Sequence, residues 1–312
     1  MESPTYTAFS SGPAPGARLS PQTWLVTPGV TPQRFSTTVT SGASVALLDL
    51  EDSVPAGAKD DARADVFSFL SHPDGRPAAG TGQLGIRINS AQTPHGLRDL
   101  AEMAERALWP DLLLVPKVES PSDVELVVQA ADGHGPRPRV WALIESPRAI
   151  TNLADIMRAE GLSGVLFGAA DYAAAAGCRR TTRAMWYPRA VLAAAAASAG
   201  LPAVDSPFFS LDDVAALRQE AIEAAELGFA GKVAIHPRQL PVIEEAFAPS
   251  RSDVEAARAV LEAAATAEGS ITTVNGAMVG PPLVAAAHDV VGRAHDPLTA
   301  PSEKAGQAAD GR

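Results

Sequence analysis

The chain has 312 residues, 46% of them apolar, a formal net charge of −11 and a single cysteine, Cys178. That length suits one large domain with a substantial core, and an acidic chain without a basic stripe argues against nucleic acid as a partner. One cysteine excludes an intrachain disulfide and points to a reducing cytoplasm.

In chain order, residues 1–20 are rich in Pro, Ser, Gly and Ala and read as a disordered tail, with no basic and then hydrophobic segment of the kind a secretion signal needs. Short apolar runs of strand length then alternate with longer amphipathic stretches. The runs are Trp24–Val26, Val45–Leu50, Leu84–Asn89, Leu112–Val115, Val140–Ile144, Gly164–Phe167, Leu201–Val204 and Val233–Ile235. Between them, Leu97–Leu108, Ser122–Ala131 and Asp212–Leu227 have helical patterning. Eight strands alternating with helices predict an α/β fold, a closed (β/α)8 TIM barrel; a doubly wound open sheet is the alternative. A further helix over Ser252–Ala267 is surplus to a plain barrel, so residues 21–295 are expected to form one barrel domain with a C-terminal helical extension. Residues 296–312 read as a second disordered tail. The longest apolar runs, such as Ala190–Ala199, are too short to cross a bilayer, so no membrane is expected as a partner.

Barrel active sites lie at the C-terminal ends of the strands. There the sequence is unusually polar: Asp49, Glu51 and Asp52 end the second strand, Arg87 and Asn89 the third, Lys117 the fourth and Glu145 the fifth. Asp171 follows the sixth, Asp205 ends the seventh and His236 the eighth. One charge after a strand marks an exit to solvent; so many converging on one rim suggest a divalent cation and an anionic substrate held together. Oxygen ligands suit Mg2+, and Arg87 has the fork that grips a carboxylate. A rim of salt bridges to Arg87 or Lys117 is the competing reading of Glu145 and Asp171. Gly80–Gly85 matches GxGxxG but precedes a strand instead of following one, so it is no dinucleotide loop. His236 lacks a partner at zinc spacing and reads as structural, and Cys178 as a bystander beside Arg179 and Arg180.

Seven blocks occur in order: LLDLEDSVPAGAKDDAR (47–63), GIRIN (85–89), VPKVES (115–120), ALIESPRAI (142–150), LFGAADYAAAAG (166–177), VDSPFFSLDD (204–213) and GFAGKVAIHPRQLPVIEEAFAPS (228–250). In these blocks the chain resembles the HpcH/HpaI aldolase and citrate lyase β-subunit family, in its citrate lyase β-subunit and malyl-CoA lyase branch, over roughly residues 24–286. The resemblance implies a Mg2+-dependent (or Mn2+-dependent) carbon–carbon lyase or aldolase. It would act through a metal-stabilised enolate on a 2-oxo acid of the oxaloacetate, pyruvate or glyoxylate type. It further implies that Glu145 and Asp171 bind the metal, that Arg87 binds the substrate carboxylate, and that backbone amides around Gly168, Ala169 and Ala170 help to hold it. Glu51 and Asp52 would act near the metal, and the protein would be a homotrimer or homohexamer. No Schiff-base lysine is called for, so Lys117 reads as structural or electrostatic.

Three positions depart from the family pattern. Gln22 stands where an arginine of an RSxLFVPG block is common, and Thr37 where a lysine often follows. Gly280, in GAMVG, stands where a GxMID block carries an aspartate used in acid–base chemistry from an adjacent subunit. The 2-oxo acid half of the site is therefore expected to be intact and the acyl-partner half altered. Two other readings stay open: a lyase or hydrolase of a CoA or carrier-protein thioester of the malyl-CoA or citryl-CoA type, and a non-catalytic subunit that binds Mg2+ and the acid.

Overall fold

A computed structural model describes residues 22–72, 75, 77, 82–267 and 271–294. The expected disorder of residues 1–20 and 296–312, and the first two residues of the GxGxxG match, lie outside the described residues. The chain divides into two compact units, one of them Pro21–Phe247 and the other containing the chain from Ala248 onward.

The first unit is a closed eight-stranded parallel barrel whose strands follow one another in sequence order. They are β1 (Gln22–Pro28), β2 (Val45–Asp49), β3 (Gln83–Arg87), β4 (Leu112–Val115), β5 (Arg139–Ile144), β6 (Leu162–Phe167), β7 (Ala203–Asp205) and β8 (Gly231–Ala234). β8 pairs with β1 and closes the ring. Helices α1 (Phe35–Val39), α2 (Lys59–Ser71), α3 (Pro94–Glu105), α4 (Pro121–Ala131), α5 (Pro147–Thr151) and α6 (Leu153–Ile156) occupy the first five crossovers. α7 (Ala169–Ala175) and α8 (Thr182–Ser198) follow β6, α9 (Val214–Leu227) follows β7, and α10 (Leu240–Phe247) follows β8.

The helices start where the chain supplies both a cap and a preset φ. Thr93 and Ser146 accept hydrogen bonds from Gly96 N and Ala149 N, and Ser120 and Asp123 form a reciprocal capping box. In all three helices a proline takes the first helical position, where its missing N–H costs nothing. Side chains alternate across each strand, and this splits the core in two. Leu25, Ala46, Leu48, Ile86, Leu113, Ala142, Val165 and Ala203 face the helices. Trp24, Val45, Leu47, Leu112, Leu114, Trp141, Leu143, Leu166, Val204 and Val233 fill the barrel interior. One end of that interior is closed by Trp24 and Trp141, edge to face with ring centroids 4.7 Å apart. The indole of Trp141 fits because Gly164 lies opposite it: a Cβ there would come within 2.6 Å of the ring.

Outside the cavity, a buried charge cluster ties β7 and β8 to the helical layer. Lys232 is fully buried, with its Nζ 2.6 Å from Asp205 Oδ2 and 2.6 Å from Glu220 Oε1. Arg189 Nη2 reaches Asp205 Oδ2 at 3.0 Å.

In the second unit, α11 (Arg251–Thr266) matches the expected extra helix and begins at a capping box of Ser250 and Asp253. A hairpin of β9 (Thr272–Val274) and β10 (Ala277–Val279) and a further helix, α12 (Pro281–Ala294), were not anticipated. The hairpin turn is Asn275–Gly276, with φ of +51° and +80°, the left-handed pair that a two-residue turn demands. No described helix of either unit is long and apolar enough to cross a membrane.

Candidate active site

At the C-terminal rim the interior face changes character within one step of the strand period. After Leu47 comes Asp49, after Gly85 comes Arg87, after Leu143 comes Glu145, and after Leu166 comes Gly168. The two-residue repeat that points the apolar set inward points these groups inward too. The cavity they line has a volume of about 510 Å³; its deep wall is Leu47, Leu114, Leu143, Leu166 and Val233. Asp52, Asp171, Ala169 and Ala170 lie on its wall as well.

Arg87 is the most constrained of these groups. Its Nε and Nη2 each donate at 2.6 Å to one oxygen of Asp49, and its Nη1 lies 3.0 Å from Glu51 Oε2. Burial works against its charge, but Asp49, Glu51 and Glu145 outweigh that and hold the guanidinium firmly protonated. A guanidinium has five N–H donors, so two remain for a ligand. Glu51 is buried and bridges to Lys117, whose Nζ is 2.5 Å from Glu51 Oε1, 3.4 Å from Asp52 Oδ1 and 3.9 Å from Asp171 Oδ2. Burial pushes the Glu51 carboxyl up despite its cationic neighbours. In Asp52, Lys117 and Arg87 overcome the effect of burial and hold the carboxyl below its usual range.

Glu145 is only 4% exposed. Its Oε1 accepts the backbone N–H of Lys117 at 2.8 Å, and Lys117 adopts a left-handed φ of +57° in presenting that donor. A non-glycine residue held there is strained, a cost concentrated at functional sites. Register explains the neighbour of Glu145 on the other side: Ile144 pairs with Phe167, so Glu145 and Gly168 come next, side by side. A Cβ at Gly168 would lie 2.5 Å from Glu145 Cβ and 2.7 Å from Oε2, so only glycine leaves that carboxylate its place. Burial, together with the Glu51 and Asp171 carboxylates, pushes Glu145 up to about 8. The Gly168 N–H is taken by Ile144 O at 2.9 Å, whereas Ala169 and Ala170, in the first turn of α7, have no intrahelical acceptor.

Seven of the ten strand-end groups singled out in the sequence therefore meet. Asn89, Asp205 and His236 do not. Asn89 turns to Asp99, which also binds Arg63. Asp205 and His236 each follow a residue that faces the interior or the cavity, Val204 and Ile235, so the alternation sends them the other way. Asp205 joins Lys232 and Arg189, and His236 Nδ1 accepts the backbone N–H of Arg238. Asp49 sits with the site but its oxygens are committed to Arg87, Ser53 and the Glu51 amide. The signal for this pairing is the register itself, in which Asp49 and Arg87 are direct neighbours on adjacent strands. One group went unremarked in the sequence: Arg34, which also lines the cavity.

Five carboxyl groups (Asp49, Glu51, Asp52, Glu145, Asp171) face Arg87, Lys117 and Arg34, an excess of two negative charges when all ionise. A divalent cation cancels that excess, and the oxygen-only donor set suits Mg2+. Among the described residues no group of three or more His, Cys, Asp or Glu side chains is placed to hold a metal by itself. Glu145 and Asp171 both line the cavity, and two carboxylates would leave the other positions of a Mg2+ ion to water and substrate, the usual arrangement for that ion.

The family model for HpcH/HpaI aldolase/citrate lyase matches residues 22–237. The chain belongs to this family. It is 33% identical over 283 residues to citrate lyase subunit beta of Escherichia coli K12, covering 86% of this chain and 92% of that one. It is also 33% identical over 296 residues to the L-malyl-CoA/beta-methylmalyl-CoA lyase of Rhodobacter capsulatus, with the same coverage. Among solved structures it resembles CitE of Mycobacterium tuberculosis in complex with magnesium, acetoacetate and coenzyme A (30% identity, TM-score 0.76, 89% of this chain and 99% of that one). It is similar, too, to the citrate lyase beta subunit from M. tuberculosis complexed with oxaloacetate and magnesium (30% identity, TM-score 0.63, 74% and 99%). Membership accounts for the barrel and for the order of the seven blocks. At Gly280, which precedes α12, an added Cβ would have no atom within 4 Å, so sterics do not demand glycine there.

Proposed function

We propose that this family member is a Mg2+-dependent carbon–carbon lyase or aldolase of the citrate lyase β-subunit type, acting on a 2-oxo acid. One observation carries the reading. A guanidinium with spare donors and a two-carboxylate oxygen pair open into the same cavity, which holds more negative charge than its cations balance. Glu145 and Asp171 would hold the metal. Bound there, Mg2+ would supply a Lewis acid for negative charge on the keto oxygen of the 2-oxo acid. Arg87 holds the substrate carboxylate by its remaining N–H groups, and the Ala169 and Ala170 amides supply further donors beside it. Glu51 and Asp52, bridged by Lys117, would take or return a proton beside the metal. The apolar deep wall would keep water from the part of the cavity it lines.

A second reading, a CoA thioester as the other substrate, rests on Arg34. Its guanidinium is on the cavity wall and makes no hydrogen bond or ion pair with the described residues, so it suits an anionic acyl partner. Homo-oligomerisation, as a trimer or hexamer, is supported by the second unit, whose buried hydrophobic residues among those described are Ala257, Val279 and Ala287, while Ile271 and Met278 are exposed. The lone cysteine supports a cytoplasmic location.

The test is exchange of the C3 protons of pyruvate in D2O, followed by NMR with Mg2+ and with EDTA. Exchange that needs Mg2+ and disappears in Glu145→Ala is expected. No exchange above the enzyme-free rate, with Mg2+ bound by calorimetry, would overturn the reading of an enolate formed on the 2-oxo acid and leave thioester chemistry or a binding role.

A further inference from the structure

We propose that Asp49 is a positioning residue that aims Arg87 at the substrate carboxylate, with Ser53 as its own anchor, and that it touches neither metal nor substrate. The inference rests on the reading of Arg87 as the carboxylate-binding group.

Asp49 is fully buried at the last position of β2, opposite Arg87 at the last position of β3. Its Oδ1 accepts from Arg87 Nε at 2.6 Å and from Glu51 N at 2.9 Å. Its Oδ2 accepts from Arg87 Nη2 at 2.6 Å, from Ser53 N at 3.1 Å and from the Ser53 hydroxyl. With two donors on one oxygen and three on the other, no lone pair is left for a cation or a ligand. The two-pronged contact fixes the guanidinium plane. It occupies the Nε side, so the donors that remain are at the far end of the side chain, where the cavity lies. Ser53 fixes Asp49 in turn, and Ser53 also lines the cavity. A lone arginine on this rim would have several rotamers; held this way it has one, and binding an anion then orders nothing new.

Asp49→Asn keeps the shape but replaces one oxygen by an NH2 that faces an Arg87 N–H. Steady-state pyruvate exchange and Mg2+ calorimetry on the purified full chain are compared for Asp49→Asn, Arg87→Lys and the double variant. The expected result for Asp49→Asn is a KM for pyruvate raised about tenfold or more, kcat within about threefold and Mg2+ affinity within about twofold. In the double variant KM should be no more than about twice that of Arg87→Lys, because the two act through one contact. Multiplying effects in the double variant, or a loss of Mg2+ affinity as large as the rise in KM, would overturn the proposal. If Arg87→Lys leaves KM unchanged, the reading of Arg87 fails first and takes the proposal with it; if only Asp49→Asn leaves KM unchanged, the proposal fails and that reading stands. Should Asp49→Asn not fold, Ser53→Ala carries the test: KM should rise about threefold with Mg2+ affinity unchanged, and an unchanged KM would refute the anchor.

Discussion

Raising the pH from 6 to 9 should tighten Mg2+ binding to this protein, and the size of the change follows from one carboxyl group. Burial and the flanking Glu51 and Asp171 push Glu145 to about 8, so near neutral pH it carries a proton that a cation must displace. With that value, roughly 1% of Glu145 is ionised at pH 6, about a tenth at pH 7 and half at pH 8, so the apparent affinity should rise about tenfold over the first step, about fivefold over the second, and then level off. Titration at pH 7 should release about 0.9 proton per Mg2+ bound. Isothermal calorimetry in two buffers of different ionisation enthalpy measures both. The same group has an effect of opposite sign on folding. The folded protein holds a proton that the unfolded chain loses near 4.5, so this contribution to stability is complete below 4.5 and is lost as pH rises toward 8. In EDTA, the melting temperature should therefore fall across that window. Affinity that is flat between pH 6 and 8, with no proton released, would show that Glu145 is already ionised and would refute the electrostatic account of the site.

Gly168→Ala should cost about 1–3 kcal/mol of stability by overpacking and lower Mg2+ affinity at least about tenfold, because its Cβ collides with the Glu145 carboxylate; denaturant melts and calorimetry report the two separately. Lys232→Met should destabilise the barrel by about 3–5 kcal/mol, since it strands Asp205 as a buried charge short of its lysine; a change below about 1 kcal/mol would mean that Arg189 alone neutralises it. Gly280→Asp should leave the melting temperature within about 2 °C, as nothing crowds the position. If an acid at this position is what the acyl-partner half lacks, turnover of a malyl-CoA-type thioester should appear in this variant and be absent from the parent.

Much of the architecture was legible in the sequence because it depends on local periodicity. Eight apolar runs spaced by helical stretches leave little alternative to a closed parallel ring, and every strand boundary lies within two residues of those runs. Arg87, Glu145 and Asp171 were visible as well, because the C-terminal end of a barrel strand is where function collects. What sequence position could not decide was direction. Asp205 and Glu145 both end a strand, yet one is turned outward to Lys232 and the other inward beside Gly168; only the parity of each strand within the closed ring separates them. Nor does a sequence say which acid belongs to which cation. Asp49 and Arg87 are 38 residues apart and meet only because β2 and β3 pair in a register that puts them level. Lys117 was recognisable as a charge after β4, but its backbone amide, turned to Glu145 by a left-handed φ, belongs to the tertiary structure alone, because that strained conformation persists only where the surrounding contacts hold it.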